Sequence, residues 1–284
     1  MSYNIINFKR GQNMRILRVS VILLFIAASV AFGYLFYQEK TTTDTTIPQI
    51  KIKDEIIDVS LKATDKELLK GVSAYDEKDG DLTDKIIIES VSRFIETGVC
   101  RVTYAVCDGD NNIASATRKI RYKNYEAPRF SLNRSLCYSI YENPELKNAV
   151  TVEDCLAGDI SSDLVLTSED YTKSVAGVFT INAKVTTPKG DTASLDLPFI
   201  VEDRSDSAPE IKLKEYLIYA DKGDKIDFEK FLVKATDSKD KDITDTVTIE
   251  KKINMKKAGT YLVHYYAVDE NDNRGHSVLV VVVR

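Results

Sequence analysis

The hydrophobic pattern changes character once along the chain. From Val19 to Tyr37 the sequence VSVILLFIAASVAFGYLFY holds no charged residue. At about 1.5 Å per residue such a run spans roughly 28 Å, the thickness of a hydrocarbon core. Lys9, Arg10, Arg15 and Arg18 precede it, and a polar, threonine-rich stretch leads from Gln38 to Ile47. The basic flank predicts a single membrane pass with the N-terminus in the cytoplasm and the rest of the chain outside. A cleaved secretion signal is the competing reading, with Ser29-Val30-Ala31 as its cleavage site; the apolar run continues through Phe36, which is long for such a signal. Both readings place the remainder outside the cytoplasm.

Beyond residue 47 the pattern becomes alternating, and it repeats. Strands open at Pro48, Pro128 and Pro209, which are 80 and 81 residues apart. A valine strand then runs into an acidic turn: VSAYDEKDGDLTD from Val72, VTVEDCLAGDISS from Val150 and VKATDSKDKDITD from Val233. A glycine opens a further strand 26 or 27 residues later, at Gly98, Gly177 and Gly259, and a turn and a last strand close each copy. In the third copy Tyr261, Val263, Tyr265 and Ala267 fall on one face of the glycine strand, and Thr260, Leu262, His264 and Tyr266 on the other. Period-two alternation, with strands about ten residues apart and Gly, Asn and Asp between them, predicts a small β-sandwich in each copy. A short amphipathic piece, Asp227 to Leu232, predicts a turn of helix in the connection after the first strands.

The wording A-P-x-I, V-x-A-x-D-x-x-D-G-D-L-T and G-T-Y-x-V-x-Y-x-A-x-D resembles the bacterial Ig-like surface repeat named after a pesticidal crystal protein. The first and third copies carry the pattern well. The second has lost the Gly-Thr-Tyr wording and has Thr187 where the others end in Asp. The resemblance covers roughly residues 48 to 284 and implies an all-β architecture of three tandem immunoglobulin-like β-sandwich domains behind one N-terminal transmembrane α-helix. The expected division is a basic cytoplasmic tail at 1–18, the membrane helix at 19–37, a polar linker at 38–47, and domains at 48–124, 125–204 (divergent) and 205–284. It also implies a stalk or adhesive role at the cell surface, with a protein or glycan ligand that the sequence does not identify. The alternative is an ectodomain subunit or receptor that binds another membrane or envelope protein. The C-terminal strand is followed by no sorting tail, which favours the N-terminal anchor.

Charge narrows the partners. The formal net charge is −5, and because the first eighteen residues carry +4, the rest carries −9. An acidic exterior releases no phosphate counterions and excludes nucleic acid. The two histidines, His264 and His276, lie in the last copy, and no nucleophile motif or phosphate loop occurs, so no enzymatic activity is expected.

Three sets of residues offer chemistry. Asp76, Asp79, Asp81 and Asp108 in the first copy, and Asp237, Asp240, Asp242 and Asp269 in the third, could supply carboxylate oxygens to calcium. The competing reading is local turn chemistry, since Asp caps loops through its own backbone; the second copy keeps only Asp154 and Asp159. No other cofactor is implied. Among the four cysteines, Cys100 and Cys107 sit on one strand about 23 Å apart and cannot pair. A hairpin centred near residue 146 would set Cys137 opposite Cys155, the candidate disulfide. Cys100 takes the place of core residues, and Cys107 is left to a partner chain or free. His264 and Tyr266, outward on the distal copy, are the candidate ligand-facing residues.

Overall fold

The computed structural model describes residues 2–42, 45–142, 146–168, 170–171 and 175–284. A single long helix, α1 (Ser2–Thr42), opens the chain. Over Met14–Glu39 it is long and apolar enough to cross a membrane, and its side chains there are exposed on every side. Leu, Phe and Ile all round a helix with no protein cover suit a lipid solvent, not water.

The remainder is strand. The first repeat contains β1 (Gln49–Ile52), β2 (Ile56–Val59), β3 (Val72–Asp76), β4 (Gly80–Asp81), β5 (Ile87–Val91), β6 (Val99–Cys107) and β7 (Ile113–Tyr122). The second contains β8 (Arg129–Leu132), β9 (Cys137–Ser139), β10 (Val150–Asp154), β11 (Gly158–Asp159), β12 (Val165–Thr167), β13 (Gly177–Thr186) and β14 (Thr192–Glu202). The third contains β15 (Glu210–Leu213), β16 (Leu217–Ala220), β17 (Leu232–Thr236), β18 (Thr248–Lys252), β19 (Gly259–Val268) and β20 (Arg274–Val283). The expected helical turn is a 3-10 helix at Phe228–Phe231, capped by Asp227, whose side chain accepts from Glu229 N.

One topology serves all three copies. A small antiparallel sheet (β1-β3-β4, β8-β10-β11 and β15-β17) accompanies a four-stranded sheet, ordered β2-β7-β6-β5, β9-β14-β13-β12 and β16-β20-β19-β18. The second strand of each copy leaves the small sheet and pairs in parallel with the last strand: Ile56↔Lys119, Cys137↔Ile200 and Leu217↔Val280. This crossover separates consecutive strands that a simple hairpin would keep together.

The chain forms two compact units. One comprises residues up to 54 with 69–89 and 103–117; the other comprises 55–68, 90–102 and 118–284. In the first unit β3 alternates strictly, with Val72, Ala74 and Asp76 buried and Ser73 and Tyr75 exposed. The second unit holds the whole of repeats 2 and 3, and one apolar cluster spans both while a second belongs to repeat 3. The apolar cluster of repeat 2 (Leu136, Phe199, Val201 and neighbours) takes in Leu217, Val280 and Val282 from repeat 3. The opposite face of β20 (Leu279, Val281, Val283) packs with Val263, Tyr265 and Ala267 in the core of repeat 3 itself. From Gly275 to Val283 every residue of β20 is buried. The short linker at 203–208 therefore joins two repeats that share an apolar cluster. The physical reason is that both faces of β20 are apolar and both need cover.

Candidate functional site: the acidic turns and the junction of repeats 2 and 3

The acidic turns are built the same way in every copy. Asp76 Oδ1 accepts from the amides of Lys78 and Asp79 at 2.9 and 3.1 Å. Asp154 Oδ2 accepts from Leu156 and Ala157 at 3.1 and 2.8 Å. Asp237 Oδ1 accepts from Lys239 and Lys241 at 2.8 and 2.9 Å. At the Asp-x-Thr/Ser step Asp81, Asp159 and Asp242 each accept from the amide two residues on, at 2.9, 2.9 and 3.0 Å. The hydroxyls of Thr83, Ser161 and Thr244 then accept from Ala74 N, Val152 N and Ala235 N at 3.2, 2.9 and 3.0 Å, fastening the turn to the valine strand. These bonds to the ionised form hold the Asp81, Asp159 and Asp242 carboxyls below their ordinary range, the hydroxyl of Thr83, Ser161 or Thr244 contributing most.

The second acidic position closes the turn before the last strand. Asp108 Oδ1 accepts from Asp110 N and Asn112 N at 2.9 and 2.8 Å, and Oδ2 from Asn112 Nδ2 at 2.8 Å. Asp269 repeats this with Asn271 and Asn273. In the second copy Thr187 does the same work, its Oγ1 accepting from Asp191 N at 3.1 Å. Burial would raise the Asp108 carboxyl, but the bonds from Asn112 and Asp110 bring it below its usual value; Asn273 does the same for Asp269, as the leading influence there.

Of the eight aspartates, the fold brings Asp76, Asp79 and Asp108 together, with one oxygen from each within 4.8 Å of the others. Asp79 Oδ2 there accepts from Gly109 N at 2.6 Å. Asp81 stays with its own turn. In the third repeat Asp237, Asp240, Asp242 and Asp269 form no such group among the described residues; Asp240 is a left-handed turn residue at φ 60°, and Lys241 pairs with Glu270 beside them.

The cysteines depart from expectation. Cys137 and Cys155 do not pair; all four thiols are free. The partners of β10 are β8 and β11, not the strand that carries Cys137, because β9 crosses to the opposite sheet. Cys155 is exposed and its thiol donates to the Glu126 carbonyl at 3.3 Å. Cys100 is fully buried, and burial pushes its thiol up. Cys107 is half-buried, donating to the Asp108 carbonyl at 3.5 Å.

His264 and Tyr266 lie on the outward face of β19, as the alternation predicts, half-buried beside His276 of the neighbouring strand. His264 and Tyr266 stack on His276 with ring centroids 5.1 and 4.4 Å away. His264 Nδ1 lies 2.9 Å from His276 Nε2, and burial, then the neighbouring His276, lowers the His264 imidazole below its ordinary value. Both side chains pack on the residue that meets Glu202 and Cys137 at the junction.

At this junction stands a group that the strand pattern alone did not bring together. His276 Nδ1 lies 2.6 Å from Glu202 Oε1 and 3.3 Å from Cys137 Sγ. Cys137 and Glu202 share the outward face of the β9–β14 ladder, two residues apart in register. Arg204 Nη1 donates to the His276 carbonyl at 3.0 Å and Nη2 to Glu142 at 3.4 Å, while Ser139 Oγ donates to the Arg204 carbonyl at 2.7 Å. Burial raises the Cys137 thiol strongly, with Glu202 adding to it. Burial would also raise Glu202, but His276 and Arg204 hold it below its usual range. Cys, His and Glu suggest a catalytic triad, but one ring nitrogen faces both the thiol and the carboxylate. A triad needs the two on opposite ring nitrogens.

The comparisons with known proteins bear on the fold and family. No curated protein sequence matches the chain. Among solved structures, the Clostridium perfringens ZmpB structure of CBM51-2 in complex with GlcNAc and INT domains is 19% identical over 52% of this chain, with a TM-score of 0.23. The match spans only 26% of that chain's length. Drosophila N-cadherin EC1-4 is 13% identical over 86% of this chain and 76% of its own, with a TM-score of 0.24. Mouse cadherin-23 EC22-24 is 13% identical over 84% of this chain and 99% of its own, at 0.19. Likenesses this loose bear on neither ligand nor mechanism. Residues 218–283, within the third repeat, match the family described as bacterial surface protein, Ig-like domain.

Proposed function

We propose that the chain is a non-enzymatic, membrane-anchored surface protein whose three Ig-like repeats, at 48–124, 125–204 and 205–284, form a stalk that presents a protein- or glycan-binding face away from the bilayer. The observation that carries this reading is the match of residues 218–283 to a surface-protein Ig-like domain. Two others support it: the apolar helix over Met14–Glu39, and the recurrence of one sheet topology in three copies. Fold alone names no ligand. The apolar cluster shared by repeats 2 and 3 suits a stiff spacer, since apolar burial across a domain boundary removes the freedom a linker would otherwise have. The acidic turns serve this reading as rigid corners, each carboxylate bonded to at least one backbone amide.

Orientation is the testable part. Cys155 is exposed, and a membrane-impermeant maleimide reports which side of the membrane it faces. Intact cells expressing the full chain, treated with a mild reductant, are expected to take up the label at Cys155, with Cys155→Ser removing most of it. Labelling only after lysis, or recovery of the chain in the soluble fraction, would overturn the reading.

A further inference from the structure

We propose that Cys137, Glu202 and His276 form a binding site for a divalent transition-metal ion of the zinc class, which pins repeat 3 to repeat 2. Zinc takes thiolate, imidazole and carboxylate donors, and three protein ligands plus a water complete a tetrahedron. One ligand atom from each of the three residues lies within 4.8 Å of the others. Cys137 and His276 are 6% and 7% exposed, and Glu202 is half-buried, so the group is shielded on the junction side. It borders an open groove lined by Arg134, Ser139, Glu142 and Arg204, the side from which water and the ion arrive.

Without an ion, the Glu202 carboxylate is the shared acceptor for His276 Nδ1–H and the Cys137 thiol. A cation at the centre takes the place of these protons as the common partner of all three side chains. Binding shifts the imidazole proton from Nδ1, where Glu202 accepts it, to Nε2, which lies 2.9 Å from His264 Nδ1 and donates there, so that the Nδ1 lone pair is left for the ion. Metal-bound imidazoles are held by such an outer partner. Binding displaces the Cys137 thiol proton to solvent, and the ion's two positive charges are then matched by the thiolate and the Glu202 carboxylate. The ionised site is neutral, which a buried site requires. Two ligands come from repeat 2 and one from repeat 3, so the bound ion is a cross-link between them. The proposal does not depend on where in the cell the chain resides.

The test uses the untagged full chain in detergent, reduced and stripped with chelator, and Co²⁺ and Zn²⁺ as probes. One Co²⁺ per chain is expected, with a near-ultraviolet thiolate-to-cobalt absorption band that Zn²⁺ abolishes. Cys137→Ser removes the band and Cys155→Ser keeps it. His264→Gln keeps the band and weakens affinity by about tenfold to a hundredfold, the usual cost of losing an outer partner. If Cys137→Ser does not fold, the wild-type chain decides: Zn²⁺ is expected to slow maleimide modification of Cys137 and leave Cys155 unchanged. Absence of both band and protection, or a band that survives Cys137→Ser, would overturn the proposal.

Discussion

Replacing Val280 by Thr tests whether repeats 2 and 3 fold as one body. Val280 belongs by sequence to the last strand of repeat 3, yet it is fully buried in the cluster that forms the core of repeat 2. Threonine keeps the branched shape and puts a hydroxyl where a methyl packed. A hydroxyl buried without a partner costs about 1–3 kcal/mol. Val281→Thr, one position on, puts the same hydroxyl into the separate core of repeat 3. Amide hydrogen exchange read by mass spectrometry reports each strand separately, and a loss of 1–3 kcal/mol appears as roughly 5- to 150-fold faster exchange. Val280→Thr is expected to loosen β9 and β14 in repeat 2 along with β20. Val281→Thr should act first on β19 and β20. If Val280→Thr leaves the exchange of Leu197–Val201 unchanged, the valine serves its own repeat alone and the shared-core argument fails.

Three further outcomes follow from the geometry. Thr244→Val removes the hydroxyl that accepts from Ala235 N and leaves that strand amide without its partner; a loss of about 1–3 kcal/mol is expected in urea titration of the full chain. Gly275→Ala would place a Cβ 2.2 Å from the Pro209 carbonyl oxygen, a backbone atom that cannot turn away. Repeat 3 is expected to lose about 1–3 kcal/mol or more from the overpacking, read as a lower urea midpoint, and a neutral result would contradict the close approach of β20 to the strand opening. Millimolar calcium should leave the thermal transition of the full chain unmoved, because Asp76, Asp79 and Asp108 each already accept from a backbone amide through one oxygen. A rise of several degrees would show that this cluster prefers the ion to its own backbone.

The local features of this protein were legible because they repeat at short range. An uncharged apolar run is a membrane-length helix whatever surrounds it. Alternation at period two marks β6, β13 and β19, since each strand has one face on a core. The acidic turns were readable as turns for the same reason: Asp237, Lys239 and Lys241 interact within five residues, and the decay of the motif in the second copy hinted that geometry mattered more than charge. One signal went unread. From Val278 to Val283 the chain is apolar at both parities, the mark of a strand buried on two faces.

What only the tertiary structure decided is which distant faces meet. Strand pairing beyond the nearest neighbour depends on how each copy crosses between its sheets, and no local pattern encodes that choice. The crossover moves Cys137 away from Cys155 and onto the outward face beside Glu202. Packing of that face against β20 then brings in His276, 139 residues further along the chain, with the rings of His264 and Tyr266 stacked beside it. The periodicity determined which residues would look outward. Only the docking of one repeat on the next determined what they would look at, because burial of an outward apolar face depends on a partner surface that lies elsewhere in the chain.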